Sequence, residues 1–218
     1  MVTIMTEIKN LSIVGLSCLP DKFIPQIIKS DYIIAADGAS FLLIKKGIIP
    51  DLAVGDFDSL SSVKLRMVQN KIAKIIKYPR IKDLTDMHLA VIEALKLKPQ
   101  KITIYGGTGK RIDHFLGNLF LLELINKFNI KAEIVDEYNE IKIIEKIETL
   151  TKSAYFPYFS IIPLSEETVV SATGCRYEIK NKKITRGQTI GISNEIIKDQ
   201  CLITVEKGKI VLIRSKDS

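Results

Sequence analysis

Leu52-Ala53-Val54-Gly55-Asp56-Phe57-Asp58-Ser59 joins a short apolar run to two carboxylates flanking one aromatic, with no basic residue nearby in the sequence. Side chains in a β-strand alternate with period two, so Asp56 and Asp58 share a face if strand geometry continues past Val54. Two carboxylates on one face repel, and a divalent cation is the usual remedy. The competing reading is an acidic turn that caps the next helix.

Working outward, the run becomes one strand of a series. Residues 11–16 and 32–36 read as strands around a helical pattern at 22–29, and a helix over 39–46 closes at Gly47 with Pro50 just beyond. A helix over 62–70, a strand over 73–78, a helix over 85–97 and a strand over 102–105 follow. After Gly106-Gly107-Thr108-Gly109, Asp113 opens a helix whose apolar positions Phe115, Leu116, Leu119, Phe120 and Leu122 run on to Phe128, before a sixth strand over 132–135. Strands alternating with helices predict an α/β domain over residues 1–138, with a mostly parallel sheet buried on both faces. From Tyr138 the helical patterns vanish. Short runs at 159–162, 168–171, 189–192, 201–205 and 210–213, punctuated by Gly174, Asn181, Gly187, Asn194 and Gly208, predict an antiparallel sandwich or barrel over 139–218.

The 218 residues are enough for one domain or two, and 46% hydrophobic with 26% charged residues is ordinary globular usage. A net charge of +7 invites an anionic partner, but the lysines are scattered among isoleucines. That is the pattern of a solvated surface, so no nucleic-acid partner is expected. Cys18, Cys175 and Cys201 lack C-x-x-C spacing and read as buried thiols in a reducing compartment. No signal-like N-terminus and no run of membrane-span length stand in the sequence, so a cytoplasmic protein without membrane attachment is expected.

In an open parallel sheet, ligands bind beyond the carboxyl ends of the strands. Asp37 follows one predicted strand, Asp56 and Asp58 the next, Asp83 and Asp86 a third, and the Gly106–Gly109 loop a fourth. Each has a bland explanation as a cap or turn residue; their shared edge argues for a site. The glycine loop brings backbone N–H groups to a phosphate, with Lys110, Arg111 and a helix N-terminus carrying Asp113 and His114 beside it. Its spacing is neither the Walker loop nor the dinucleotide fingerprint. Acids for Mg²⁺ beside a phosphate cradle point to metal-assisted phosphoryl chemistry.

Five motifs in order then carry a resemblance: Ala36-Asp37-Gly38-Ala39, Pro50 through Ser59, Asp83-Leu84-Thr85-Asp86, Gly107 through His114, and Gly191-Ile192-Ser193-Asn194-Glu195. Together they resemble thiamine pyrophosphokinase over nearly the whole chain. The resemblance implies a Rossmann-like catalytic domain, a C-terminal β-sandwich, a homodimer, and transfer of pyrophosphate from Mg-ATP to the hydroxyl of thiamine with release of AMP. Matched motif by motif, it implies Asp56, Asp58 and Asp86 as metal ligands, Asp83 or Asp86 at the hydroxyl proton, and Asp37, Thr108, Arg111, Asp113 and His114 on the ATP side, with Arg111 on the phosphates. Ser193 and Asn194 are implied as partners of the aminopyrimidine. Leu84 and the Leu16-Ser17-Cys18 loop depart from the family's polar usage, and with no Trp in the chain Tyr177 is a candidate for ring stacking.

Two rival functions share these residues. A haloacid-dehalogenase-like phosphatase also uses D-x-D after an apolar strand, but at the first strand of its domain, whereas two predicted strands precede it here. A nucleotide- or thiamine-sensing module without turnover would account for Leu16 and Leu84.

Overall fold

The computed structural model describes residues 7–17 and 19–217, so the expectation for Cys18 lies outside the described residues. The chain divides into two compact units, Met1–Glu137 and Tyr138–Ser218. In the first, β1 (Asn10–Val14), β2 (Tyr32–Ala36), β3 (Leu52–Gly55), β4 (Ile75–Lys77), β5 (Lys101–Tyr105) and β6 (Lys131–Val135) alternate with α1 (Ile24–Ile28), α2 (Ala39–Lys45), α3 (Ser62–Lys71), α4 (Asp86–Lys96) and α5 (Ile112–Asn126). The pattern predicted over 22–29 is split into a single 3₁₀ turn, Asp21–Phe23, and the short α1. Pro25 stands at its start, where a missing N–H costs nothing.

Every strand pair within this unit is parallel, in the order β6-β5-β1-β2-β3-β4. Register explains the apolar runs. Ile134, Ile104, Ile13 and Ile34 lie in one row across the sheet and Val135, Tyr105, Val14 and Ala35 in the next, on the opposite face. All eight are buried, so neither face is left to solvent. One cluster joins Val14, Ala35 and Tyr105 to Phe23, Ile27 and Leu43, while α4 packs across β1, β2 and β3. The chain runs β1 to β4 towards one edge and then crosses back to β5 on the other side of β1. That reversal opens a crevice at the carboxyl ends of β1 and β5.

The second unit is a sandwich of two antiparallel sheets. β7 (Asn139–Ile144), β9 (Tyr158–Pro163), β12 (Asn194–Glu195) and β14 (Ile210–Ser215) form one, in the order β12-β9-β14-β7. β8 (Ile147–Thr151), β10 (Glu167–Thr173), β11 (Ile179–Thr185) and β13 (Gln200–Lys207) form the other, in the order β11-β10-β13-β8. Phe159, Ile161 and Leu212 of the first sheet share a core with Val170, Ile184 and Ile203 of the second, together with the buried thiols Cys175 and Cys201. Burial pushes the Cys201 thiol up to about 12.

Here the predicted strands need correction. Residues 189–192 form a turn, because Gly191 sits at φ +96° with its Cα against the Ile161 backbone and its carbonyl accepting from Ile161 N–H at 2.9 Å. The strand falls instead on the pair Asn194–Glu195. β7, β8 and β11 were not among the predicted strands. β11 reads Ile-Lys-Asn-Lys-Lys-Ile-Thr, exposed along its four central positions Lys180–Lys183, and lies at a sheet edge, where lysines discourage pairing with other chains. Of its seven residues only Ile184 is buried, so its hydrophobic signal is weak.

After β3 the backbone turns sharply. Phe57 has φ +61°, a left-handed conformation costing roughly 1 kcal/mol or more for a bulky residue. Its ring is 2% exposed, packed with Ile44, Ala53, Val68 and Ile72, and burial of an aromatic contributes about 2–3 kcal/mol, enough to hold the turn. Phe57→Ala therefore destabilises the protein by about 3–5 kcal/mol, measured by urea unfolding, through both the lost contact and the cavity left behind. A change under about 1 kcal/mol would show that the ring does not anchor this loop.

Candidate active site

A cleft of about 460 Å³ opens at the β1/β5 reversal. Its floor is a contact between two backbones: a Cβ on Gly15 would lie 2.6 Å from Gly106 O, and one on Gly106 would lie 2.5 Å from Gly15 O. Gly15 N–H also donates to Tyr105 O at 2.8 Å. Only glycine permits this approach, and Gly106 has φ +64° as well. The walls come from Leu16 and Ser17 after β1, Asp37 after β2, residues 80, 82 and 84–87 after β4, and residues 107–111 with His114 and Asn118 after β5.

The carboxylates are grouped differently from the sequence expectation. Strand geometry stops at Gly55 and Phe57 is left-handed, so the period-two alternation that would put Asp56 and Asp58 on one face does not extend to them. Asp58 N–H donates to Asp56 Oδ1 at 3.0 Å, while its own carboxylate pairs with Arg80 at 3.1 Å. The cluster is Asp37, Asp56 and Asp86, with one ligand oxygen of each within 4.8 Å of the others. Asp83 is exposed and is not among the residues that line the cleft. Asp86 begins α4 behind the Thr85 cap, whose Oγ1 accepts from His88 N–H at 3.2 Å.

Basic residues are present after all, delivered by the loop after β4. Lys82 Nζ lies 2.6 Å from Asp56 Oδ2 and 3.1 Å from Asp86 Oδ1, with its side chain 14% exposed. Burial raises the Asp56 carboxyl, but Lys82 and the Asp58 amide outweigh it and leave it below its ordinary value. At Asp86 burial prevails over Lys82, with Asp56 and Asp37 adding to the rise, so this carboxyl sits above its ordinary value. Lys82, although burial opposes its charge, is raised by the two acids.

These carboxylates fit a divalent cation. At an effective dielectric near 20, each carboxylate pair about 5 Å apart repels by roughly 3 kcal/mol. Three negative charges and one ammonium leave the cluster two charges negative. Asp37 Oδ1 is buried with no hydrogen-bond donor, and Asp86 Oδ1 has the Lys82 ion pair but no aligned hydrogen bond. Asp37 Oδ2 accepts from Ser59 Oγ at 2.5 Å, which fixes the side chain.

Across the cleft, Thr108, Arg111 and His114 line the wall. Asp113 does not; it grips Arg111 in two contacts, Nε at 3.2 Å and an NH₂ at 2.5 Å. The guanidinium holds the Asp113 carboxyl down at about 2. Asn118, absent from the sequence reading, donates from Nδ2 to Gly107 O at 2.7 Å and so ties the glycine loop to α5. Its signal was available: Arg111, His114 and Asn118 recur at helical spacing on one face. Lys82 had none, since it sits in an irregular loop 26 residues from the acid it meets.

In the second unit, Ser193 is exposed at φ +55°, its N–H donating to Ser160 Oγ at 3.0 Å. Asn194, implied with Ser193 as a partner of the aminopyrimidine, has both ends of its amide engaged within the protein. It is buried, accepting from Tyr177 N–H at 3.1 Å and donating to Tyr177 O at 2.9 Å, so it braces that segment. The Tyr177 ring itself is 64% exposed.

Comparison with known proteins gives a consistent likeness. Residues 25–134 match the family described as "Thiamin pyrophosphokinase, catalytic domain", and residues 141–210 match "Thiamin pyrophosphokinase, vitamin B1 binding domain". A thiamine pyrophosphokinase of Bacillus subtilis (strain 168) is 39% identical over 186 residues, 84% of this chain and 87% of that protein. Thiamin pyrophosphokinase 1 of Caenorhabditis elegans is 28% identical, over 85% of this chain and 79% of its own length. Among solved structures, the thiamine pyrophosphokinase of Bacillus subtilis is similar with a TM-score of 0.88 at 34% identity, covering 96% of this chain and all of that one.

Proposed function

The chain belongs to the thiamin pyrophosphokinase family, whose members transfer pyrophosphate from ATP to thiamine and release AMP, and from that premise we propose how its own residues divide the reaction. The observation that carries the assignment is the carboxylate cluster of Asp37, Asp56 and Asp86, two of whose members, Asp37 and Asp86, line one cleft together with the glycine loop. Asp56 and Asp86 would hold Mg²⁺, with Asp37 as the third ligand in place of Asp58. When bound, the ion neutralises negative charge on the phosphates.

The protein's own groups do the rest. Backbone N–H groups of the Gly106–Gly109 loop and the N-terminus of α5 face the phosphates, with Arg111 held in position by Asp113. Thr108, His114 and Asn118 border the nucleotide on the same side. The thiamine hydroxyl oxygen forms a bond to the β-phosphorus as the bond from that phosphorus to the α,β-bridging oxygen breaks, and AMP leaves with the bridging oxygen. The hydroxyl proton passes towards the acid cluster. Asp86 is the acceptor supported here, since it lines the cleft beside the other acids, whereas Asp83 is not among the lining residues. Ser193 offers an exposed hydroxyl to the aminopyrimidine, and Asn194 positions the Tyr177 segment.

A homodimer is supported by α5. Ile112, Leu116 and Phe120 of α5 are exposed at successive four-residue spacing, apolar surface on neighbouring positions of one helix that water disfavours. Substrates are small molecules; among the described residues no helix is long and apolar enough to cross a membrane.

Incubation with ATP, thiamine and Mg²⁺ yields AMP and thiamine diphosphate; release of free phosphate through a covalent aspartyl intermediate would overturn the assignment. Asp56→Asn and Asp86→Asn each lower kcat by at least about 100-fold, while Asp83→Asn stays within about threefold of the parent, in a coupled assay for AMP. The opposite ranking would return Asp83 to the reacting edge. Phe120→Glu, which places a charge in the middle of these apolar positions, gives a monomer by sedimentation velocity, and an unchanged dimer would exclude α5 from the interface.

A further inference from the structure

Lys82 is the most buried cation of the cleft and contacts two of its acids, yet nothing in the division of roles above uses it. Its amine sits where positive charge is needed. With Asp37, Asp56 and Asp86 brought within 4.8 Å, an empty acid cluster would drive its own strands' loops apart, and a tethered ammonium between Asp56 and Asp86 relieves part of that repulsion. The same ammonium occupies Asp56 Oδ2 and faces Asp86 Oδ1, both oxygens that a metal ion would also take.

We propose that Lys82 is a built-in competitor for Mg²⁺: it seats its ammonium on Asp56 and Asp86 when no metal is present and must give up that seat when the ion enters. This rests on the metal role proposed for the acid cluster. Displacement has a functional consequence. An ammonium leaving two carboxylates needs another anion, and the phosphates of the nucleotide are the anions this cleft is shaped to receive. Metal uptake is therefore favoured when ATP is also present and opposed when it is not. Binding of the two becomes coupled through one side chain.

The test is Mg²⁺ binding to nucleotide-free protein, stripped with a chelator and titrated with MgCl₂ by isothermal calorimetry. Lys82→Met tightens Mg²⁺ by about tenfold or more, because the ion no longer has to displace a cation. Lys82→Arg keeps the charge and stays within about threefold of the parent. Loss of a residue that merely supports the fold would not improve metal affinity, so unchanged or weaker binding by Lys82→Met overturns the proposal. If that variant needs Mg²⁺ to fold, its melting temperature rises more with MgCl₂ than the parent's, and an equal or smaller rise overturns the proposal too. A parent protein that binds no Mg²⁺ with or without ATP sinks the metal role itself, a failure distinct from that of the lysine.

Discussion

Parallel pairing of six strands is the constraint on which the first unit depends, because it puts every strand's carboxyl end at one edge. Side-by-side registration of Val14 with Tyr105 then places Gly15 against Gly106, where the chain reverses its order of strands. Two glycines let the backbones touch there, and the cleft forms above the contact. Ladder hydrogen bonds and rows of buried isoleucine make this edge rigid, so groups that repel each other can be held close.

Holding three carboxylates together requires work, and the structure distributes it. Phe57 is forced into a left-handed backbone and its burial offsets that strain, which fixes the turn between Asp56, paired with Lys82, and Asp58, paired with Arg80. Asp37, also at positive φ, is tied down through Asp37 N–H to Val54 O at 2.8 Å and through Ser59. Thr85 caps α4 and so fixes Asp86 at its first turn. Lys82 supplies the balancing charge. Each of these supports lowers the free energy of keeping acids where a cation can meet them.

On the side proposed for the phosphates the logic is the reverse, since few charges are needed where backbone amides can bind an anion. Arg111 is exposed, and a bidentate partner restricts its long side chain before substrate arrives. Asn118 performs a similar service for the loop through Gly107 O. In the sandwich, Asn194 clamps both polar groups of the Tyr177 backbone, which leaves Ser193 at the tip of a turn made possible by Gly191.

By itself the sequence determined the alternation of strands and helices, the change of grammar near Tyr138 and the delivery of Asp37, Asp56, Asp86 and the glycine loop to one edge. Those features follow from hydrophobic period and from residues adjacent to strand ends, which are local properties of the chain. The lysine-rich strand Ile179–Thr185 escaped because only Ile184 of its seven residues is buried, which leaves little apolar signal. Only the tertiary structure decided that Asp37 comes within 4.8 Å of Asp56 and Asp86, that Asn194 holds both polar groups of the Tyr177 backbone, and that Lys82 lies between Asp56 and Asp86. Each of these depends on where a backbone turns or on which distant loop meets it, and no short-range pattern encodes the meeting of Lys82 and Asp56, 26 residues apart.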